Sequence, residues 1–200
     1  MIERFHRQAG QRTGDLSPQE VVTGLLKIFE DEWNRARPVL DGLGLSESQL
    51  QDYRDESQVM VINFGWWFQK RLVPPPNRTE VKFISKRLGL MGVVDAVHRI
   101  GQDAILVDYK TSRRAEITPE MERQAALYGL LYQDVNGHPP EALWIHFLNT
   151  DDDPQVIPLD DELLTYGRLT LDSVHHKTRT QDEADYPCTC GGRCQRDFVE

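Results

Sequence analysis

The sequence predicts an α/β protein with a mixed central β-sheet flanked by helices. Three observations carry this. Helical patterns come first, then three strand patterns in succession, then a helix, two strands and a helix. The second and third strands meet at Gly101-Gln102, a two-residue turn with Gly at its first central position, so they pair antiparallel. No Gly-rich phosphate loop is present, which separates this order from a doubly wound dinucleotide fold.

The first strong helix opens at Ser17-Pro18-Gln19-Glu20, with Ser as N-cap, Pro in the first turn and Glu at the third position. Its apolar stripe is Val21, Leu25, Ile28, Phe29 and Trp33, and Pro38 is expected to stop it. Ser46 caps a second helix, roughly 46–72, which carries the aromatic cluster Phe64, Trp66, Trp67 and Phe68. That cluster suits core packing beneath the sheet, or base stacking. Pro74-Pro75-Pro76 is a short stiff spacer. Strands follow at about 79–85, 91–100 and 103–109. Thr118 caps a helix from Pro119 to about Val135, which Asn136-Gly137 ends. Strands at 142–149 and 155–159 and a last helix at about 160–177 complete the order. We divide the chain into an N-terminal helical part, 1–76, a core, 77–178, and a polar tail with cysteines, 179–200.

Two hundred residues with 39% hydrophobic residues and four Trp suffice for one domain with a real core. No apolar run approaches the ~20 residues of a membrane span. The polar start Met1-Ile-Glu-Arg-Phe-His6 shows no signal peptide, which predicts a cytoplasmic protein. The net charge of −9 argues against nucleic acid at first sight. The distribution argues otherwise: Lys70, Arg71, Arg78, Lys82, Lys86 and Arg87 stand against Glu80 alone in residues 67–87. Lys110, Arg113 and Arg114 follow the hairpin, while acids pool at Asp151–Asp153 and Asp160–Glu162. Local fields at a cleft matter more for binding than net charge.

The chemistry concentrates in Gly92–Thr111. A two-residue turn at Gly101-Gln102 sets Ile100 opposite Asp103, Val97 opposite Leu106 and Asp95 opposite Asp108. Directly opposed side chains lie about 5 Å apart at Cβ, and like charges so placed are destabilising unless a cation intervenes. Lys110 is two residues past Asp108 and projects from the same side. Two acids and a lysine on one face suit a divalent-metal site; the alternative is a solvated face with an ion pair. The apolar neighbours Val93, Val94, Val97, Ile105, Leu106 and Val107 favour the metal site, because an unpaired buried acid is costly. In the next helix Gln124 and Tyr128 are four apart and share a face.

In combination, Gly92-Val-Val-Asp95, Val107-Asp108-Tyr-Lys110-Thr111 and Gln124-Ala-Ala-Leu-Tyr128 resemble the RecB-like branch of the PD-(D/E)XK nuclease superfamily. Relatives there include CRISPR-associated exonucleases and helicase-linked nuclease domains of recombination. The resemblance runs from about Glu80 to the C-terminus and implies a restriction-endonuclease-like core. It implies a DNA nuclease, most simply an exonuclease, dependent on Mg²⁺ or Mn²⁺. Asp95, Asp108 and the Tyr109 carbonyl would bind the ion, and Lys110 would orient the attacking water. Gln124 and Tyr128, with Arg113 and Arg114, would face the DNA. Glu80 would stand behind the metal ligands or be a surface glutamate. His6 corresponds to an early histidine ligand of the family or is a surface residue. A helicase or another recombination or CRISPR protein is the implied partner, with no membrane association. The alternative is a RecB-like module that binds DNA or assembles without cutting.

All three cysteines crowd into Cys188-Thr-Cys190-Gly-Gly-Arg-Cys194. An odd number so placed is not a disulfide framework. Many relatives hold a [4Fe–4S] cluster with one early and three late cysteines. Here the spacing is tighter and no fourth cysteine exists in the 200 residues. Three readings stay open: Zn²⁺ with His175 or His176 as fourth ligand, a cluster with a non-cysteine ligand, or a remnant without metal.

Overall fold

The computed structural model describes residues 1–9, 17–70, 76–101 and 103–179. Among these residues there are ten elements: α1 (Ile2–Ala9), α2 (Pro18–Asp41), α3 (Glu47–Lys70), β1 (Arg78–Ser85), β2 (Leu90–Ile100), β3 (Asp103–Lys110), α4 (Pro119–Asn136), β4 (Ala142–Phe147), β5 (Gln155–Pro158) and α5 (Asp161–Lys177). The strands form one mixed five-stranded sheet in the order β1-β2-β3-β4-β5. Only β3–β4 is parallel. Its crossover is α4, as a parallel connection requires. This is the α/β, restriction-endonuclease-like arrangement expected above. Among the described residues no helix is long and apolar enough to cross a membrane.

Local signals set the helix ends. Ser17 and Glu20 close a reciprocal capping box at α2. Thr118 accepts the Met121 N–H at α4, and Asp160 accepts the Leu163 N–H at α5. Gly137 ends α4 at φ 85°, a left-handed conformation that glycine adopts without steric penalty. One expectation needed correction, and one helix was not anticipated. Pro38 does not stop α2, which continues to Asp41. Proline removes one helical N–H, and Asn34, whose carbonyl loses this partner, is exposed, so the carbonyl is open to solvent. The helix α1 had no start signal, and it is held by tertiary packing of Phe5, 4% exposed.

The sheet separates two cores. On one face, Val81, Phe83, Val94, Val97, Leu106, Leu143 and Ile145 pack with Ala125, Leu131 and Tyr132 of α4. On the other, Tyr109, Trp144 and Leu148 meet Phe5, Leu25, Phe29, Phe64, Trp67 and Phe68 of α1–α3. Phe64, Trp67 and Phe68 are thus core, and Trp66 of the same cluster stays 38% exposed. Burying a large apolar side chain contributes about 1.5–3 kcal/mol, so α1–α3 are held to the sheet mainly through these rings. A hydrogen bond from Asn63 Nδ2 to the Leu148 carbonyl, 3.1 Å, ties α3 to the end of β4.

Candidate active site

The β2–β3 hairpin has the register read from its turn: Ile100 pairs with Asp103, Val97 with Leu106 and Ala96 with Val107. The ladder ends there. The next residue, Asp95, uses its side chain, and its Oδ2 accepts the Tyr109 N–H at 2.8 Å. On the other flank, β1 pairs Thr79 with Ala96 and Val81 with Val94, and the Glu80–Asp95 rung between them is missing. Glu80 has φ 48°, unusual for a residue with a Cβ. Val94 and Val97 both reach the core under α4. Residues three apart cannot share a face of a regular strand, so β2 twists at Asp95-Ala96. Strain of this kind in an otherwise regular sheet collects at functional sites.

Across the hairpin, β3 alternates without a break. Asp108 and Lys110 point to α4, and the Tyr109 ring points to α3, edge-on to Phe64 with centroids 5.7 Å apart. Lys110 Nζ lies 2.7 Å from Asp108 Oδ2 and donates to Gln124 Oε1 at 3.0 Å. Gln124 Nε2 donates to Asp108 Oδ1 at 3.3 Å and to the Tyr128 hydroxyl at 3.0 Å. That hydroxyl donates in turn to the Val93 carbonyl at 2.7 Å. One amide side chain therefore joins Asp108, Lys110 and Tyr128. The i, i+4 spacing of Gln124 and Tyr128 on α4 makes this possible.

Electrostatics complete the picture. Burial pushes the Asp95 carboxyl up; the Tyr109 N–H opposes this, while the negative charges of Asp108 and Glu80 add to the upward push. Burial likewise raises the Tyr128 phenol, which stays protonated and a donor. Asp108 is 6% exposed. Its Oδ2 has the Lys110 ammonium, 2.7 Å away, as its charge partner. Two carboxylates share one ammonium, and Asp95 is repelled by Asp108 and Glu80, which leaves negative charge that a cation would offset. A strand residue directs its N–H and C=O toward the same neighbour, so the Tyr109 carbonyl points to the side where its N–H meets Asp95. Among the described residues no three His, Cys, Asp or Glu side chains gather into a metal-binding group. Two acids and a backbone carbonyl are a different donor set, and magnesium favours few carboxylates with several waters.

The remaining predicted residues lie at varied distances from this centre. Glu80 shares a cavity of about 250 Å³ with Asp95, Thr79, Tyr109 and Glu3 of α1. Glu3 was missed, because a lone acid in a polar start carries no signal. His6 is packed among Phe5, Phe64 and Phe68. Arg113 is exposed and pairs with Glu56 at 2.7 Å. Arg114 is exposed, and its carbonyl accepts the Ser112 hydroxyl at 3.1 Å. His175 and His176 end α5 at the surface. Cys188, Cys190 and Cys194 lie outside the described residues.

Comparison with known proteins identifies the family. The profile of the PD-(D/E)XK nuclease superfamily matches residues 1–196. The chain belongs to that superfamily. Comparison with curated proteins returned no match. Among solved structures, one described as "Putative exonuclease" from Eubacterium rectale is 12% identical, with a TM-score of 0.48, over 84% of this chain and 69% of that one.

Proposed function

We propose that the chain is a divalent-metal-dependent deoxyribonuclease that works as an exonuclease on DNA ends. Its setting would be repair, recombination or the processing of phage or CRISPR-type DNA. The observation that carries this reading is the bridge from Gln124 to Asp108 and Lys110, with Asp95 next along the hairpin. Asp95, Asp108 and the Tyr109 carbonyl would hold Mg²⁺ or Mn²⁺. When bound, such an ion neutralises charge building on the scissile phosphate and acidifies a water. Lys110, fixed by Asp108 and Gln124, presents an N–H not taken by Gln124 to the water or to a phosphate oxygen. Gln124 and Tyr128 line the path of the strand, and Arg113 and Arg114 extend it with positive charge. His6 and Glu80 are assigned supporting places near the metal, on the resemblance alone. A helicase or another recombination protein is the partner that the resemblance supplies.

Digestion of end-labelled single- and double-stranded DNA with Mg²⁺ or Mn²⁺ tests this, with Lys110→Ala as control. We expect cleavage by the parent and none by a folded Lys110→Ala. Equal cleavage by both would remove Lys110 from the site. DNA bound without turnover in either metal would mark the chain as a non-cutting binding module. For the cysteine tail, metal analysis of protein purified without oxygen separates zinc, iron and neither.

A further inference from the structure

A cavity of about 280 Å³ opens beside the site, between the start of β2 and the outer face of α4. Leu90, Leu127, Leu131 and the ring of Tyr128 supply apolar walls, and Arg123 stands at the edge. Gly92 faces the same space: a Cβ there would meet Tyr128 Cε1 at 3.1 Å and Leu131 Cδ2 at 3.2 Å. The Tyr128 ring is clamped at its hydroxyl by Val93 and Gln124. Gln124 lines this cavity and also holds Lys110 and Asp108. Whatever fills the cavity is therefore one side chain from the catalytic strand.

We propose that this cavity receives one unpaired nucleobase of the strand whose phosphate lies at Asp108 and Lys110, and so makes the enzyme select single-stranded or frayed ends. The inference rests on the nuclease reading above. A phosphate cannot give up its hydration against these walls without a partner. A base can, because it offers a flat apolar face to a fixed ring and to aliphatic side chains. The volume lies at the small end of ligand sites, which suits one base and not a stacked pair. Arg123, half-buried at the opening, pairs with Glu120 at 3.1 Å, and a flanking phosphate would compete with that carboxylate for it. In duplex DNA the base is paired and stacked, and extracting it costs a few kcal/mol. An unpaired end avoids that cost.

The test uses the full chain and fluorescent single-stranded oligonucleotides in which one abasic residue is stepped along the sequence. Binding is read by anisotropy in Ca²⁺ and cleavage in Mg²⁺ or Mn²⁺. Base–aromatic stacking predicts that an abasic residue at one position beside the cut weakens both by about 5- to 150-fold. Leu127→Trp fills the cavity, and its base-bearing to abasic ratio should fall toward one. Leu127→Phe replaces it if circular dichroism shows that the tryptophan variant does not fold. A parent indifferent to abasic residues at every position, or a filled variant that keeps the positional penalty, overturns the proposal. If the parent cuts nothing, the nuclease reading fails. Anisotropy still decides the cavity: equal binding of base-bearing and abasic strands rejects it.

Discussion

Gln124 is the residue whose removal most directly tests how the site is assembled. Methionine matches its length and carries no strong donor or acceptor. Gln124→Met would leave Lys110 Nζ with Asp108 alone at 2.7 Å and would deprive Asp108 Oδ1 of its 3.3 Å donor. The Tyr128 hydroxyl keeps its bond to the Val93 carbonyl, so the ring stays in place. A hydrogen bond to a charged group is worth about 1.5–3 kcal/mol. If that sum acts through Lys110 in the transition state, kcat/KM falls by about 10- to 150-fold. A double-mutant cycle isolates the route. Single-turnover cleavage of a labelled single strand is measured for the parent, Gln124→Met, Lys110→Met and the double variant. Gln124→Met should cost little in the Lys110→Met background. An equal loss in both backgrounds would refute the idea that Gln124 works by positioning Lys110 and would leave it a direct contact to DNA.

Asp95→Asn should raise the thermal midpoint of the metal-free protein at neutral pH and abolish cleavage, since the amide oxygen still accepts the Tyr109 N–H. Burial raises the Asp95 carboxyl above its ordinary 3.8, so its charge disfavours the fold above the raised value and costs nothing below 3.8. The advantage of Asn should therefore shrink as pH falls through the carboxylate range; no advantage at pH 7 in EDTA would contradict it. Mg²⁺ or Mn²⁺ should raise the parent's midpoint, by about 2.7 kcal/mol of stability at a hundred times Kd, and should leave Asp108→Asn unmoved in the same melt. His146 is buried beside Trp67, with centroids 4.3 Å apart, and burial pushes its imidazole down to about 4. The unfolded chain takes up that proton near 6.5, so stability should fall between pH 6.5 and 4 by about 1.4 kcal/mol per pH unit. Urea melts of His146→Leu should show a shallower acid slope than the parent, and an unchanged slope would reassign the acid loss.

Much of the fold was legible because its signals are local. The caps at Ser17, Thr118 and Asp160 and the glycine at 137 mark helix ends through bonds within a few residues. The Gly101-Gln102 turn fixed the hairpin register because a two-residue loop leaves one pairing. Pro38 misled because its effect depends on whether the orphaned carbonyl is wet, and exposure is a tertiary property. At the site, period two gave the common face of Asp108 and Lys110, and period 3.6 gave that of Gln124 and Tyr128. Sequence could not bring those two faces into contact, nor show Gln124 bridging them. The twist at Asp95-Ala96 was equally hidden. An ideal ladder sets Asp95 square to Asp108, whereas in the structure its carboxylate takes the place of a rung at Tyr109.

That substitution explains why fold and site are inseparable here. Tyr109 is held both within the sheet's plane and on one of its faces. Its backbone N–H meets Asp95, and its ring is set among Phe64 and His146. A one-residue slip of β3 would turn every side chain to the opposite face. Lys110 and Asp108 would then enter the ring-lined core of α1–α3, away from Gln124, and Tyr109 would face Gln124. On the proposed function, the aromatic cluster of α3 would support catalysis without touching DNA, by making the wrong register costly. Its rings are large and their burial contributes about 1.5–3 kcal/mol each, comparable to the hydrogen bonds they protect. The helical segment before the sheet is in this sense part of the candidate site, because it determines which two residues of β3 face α4.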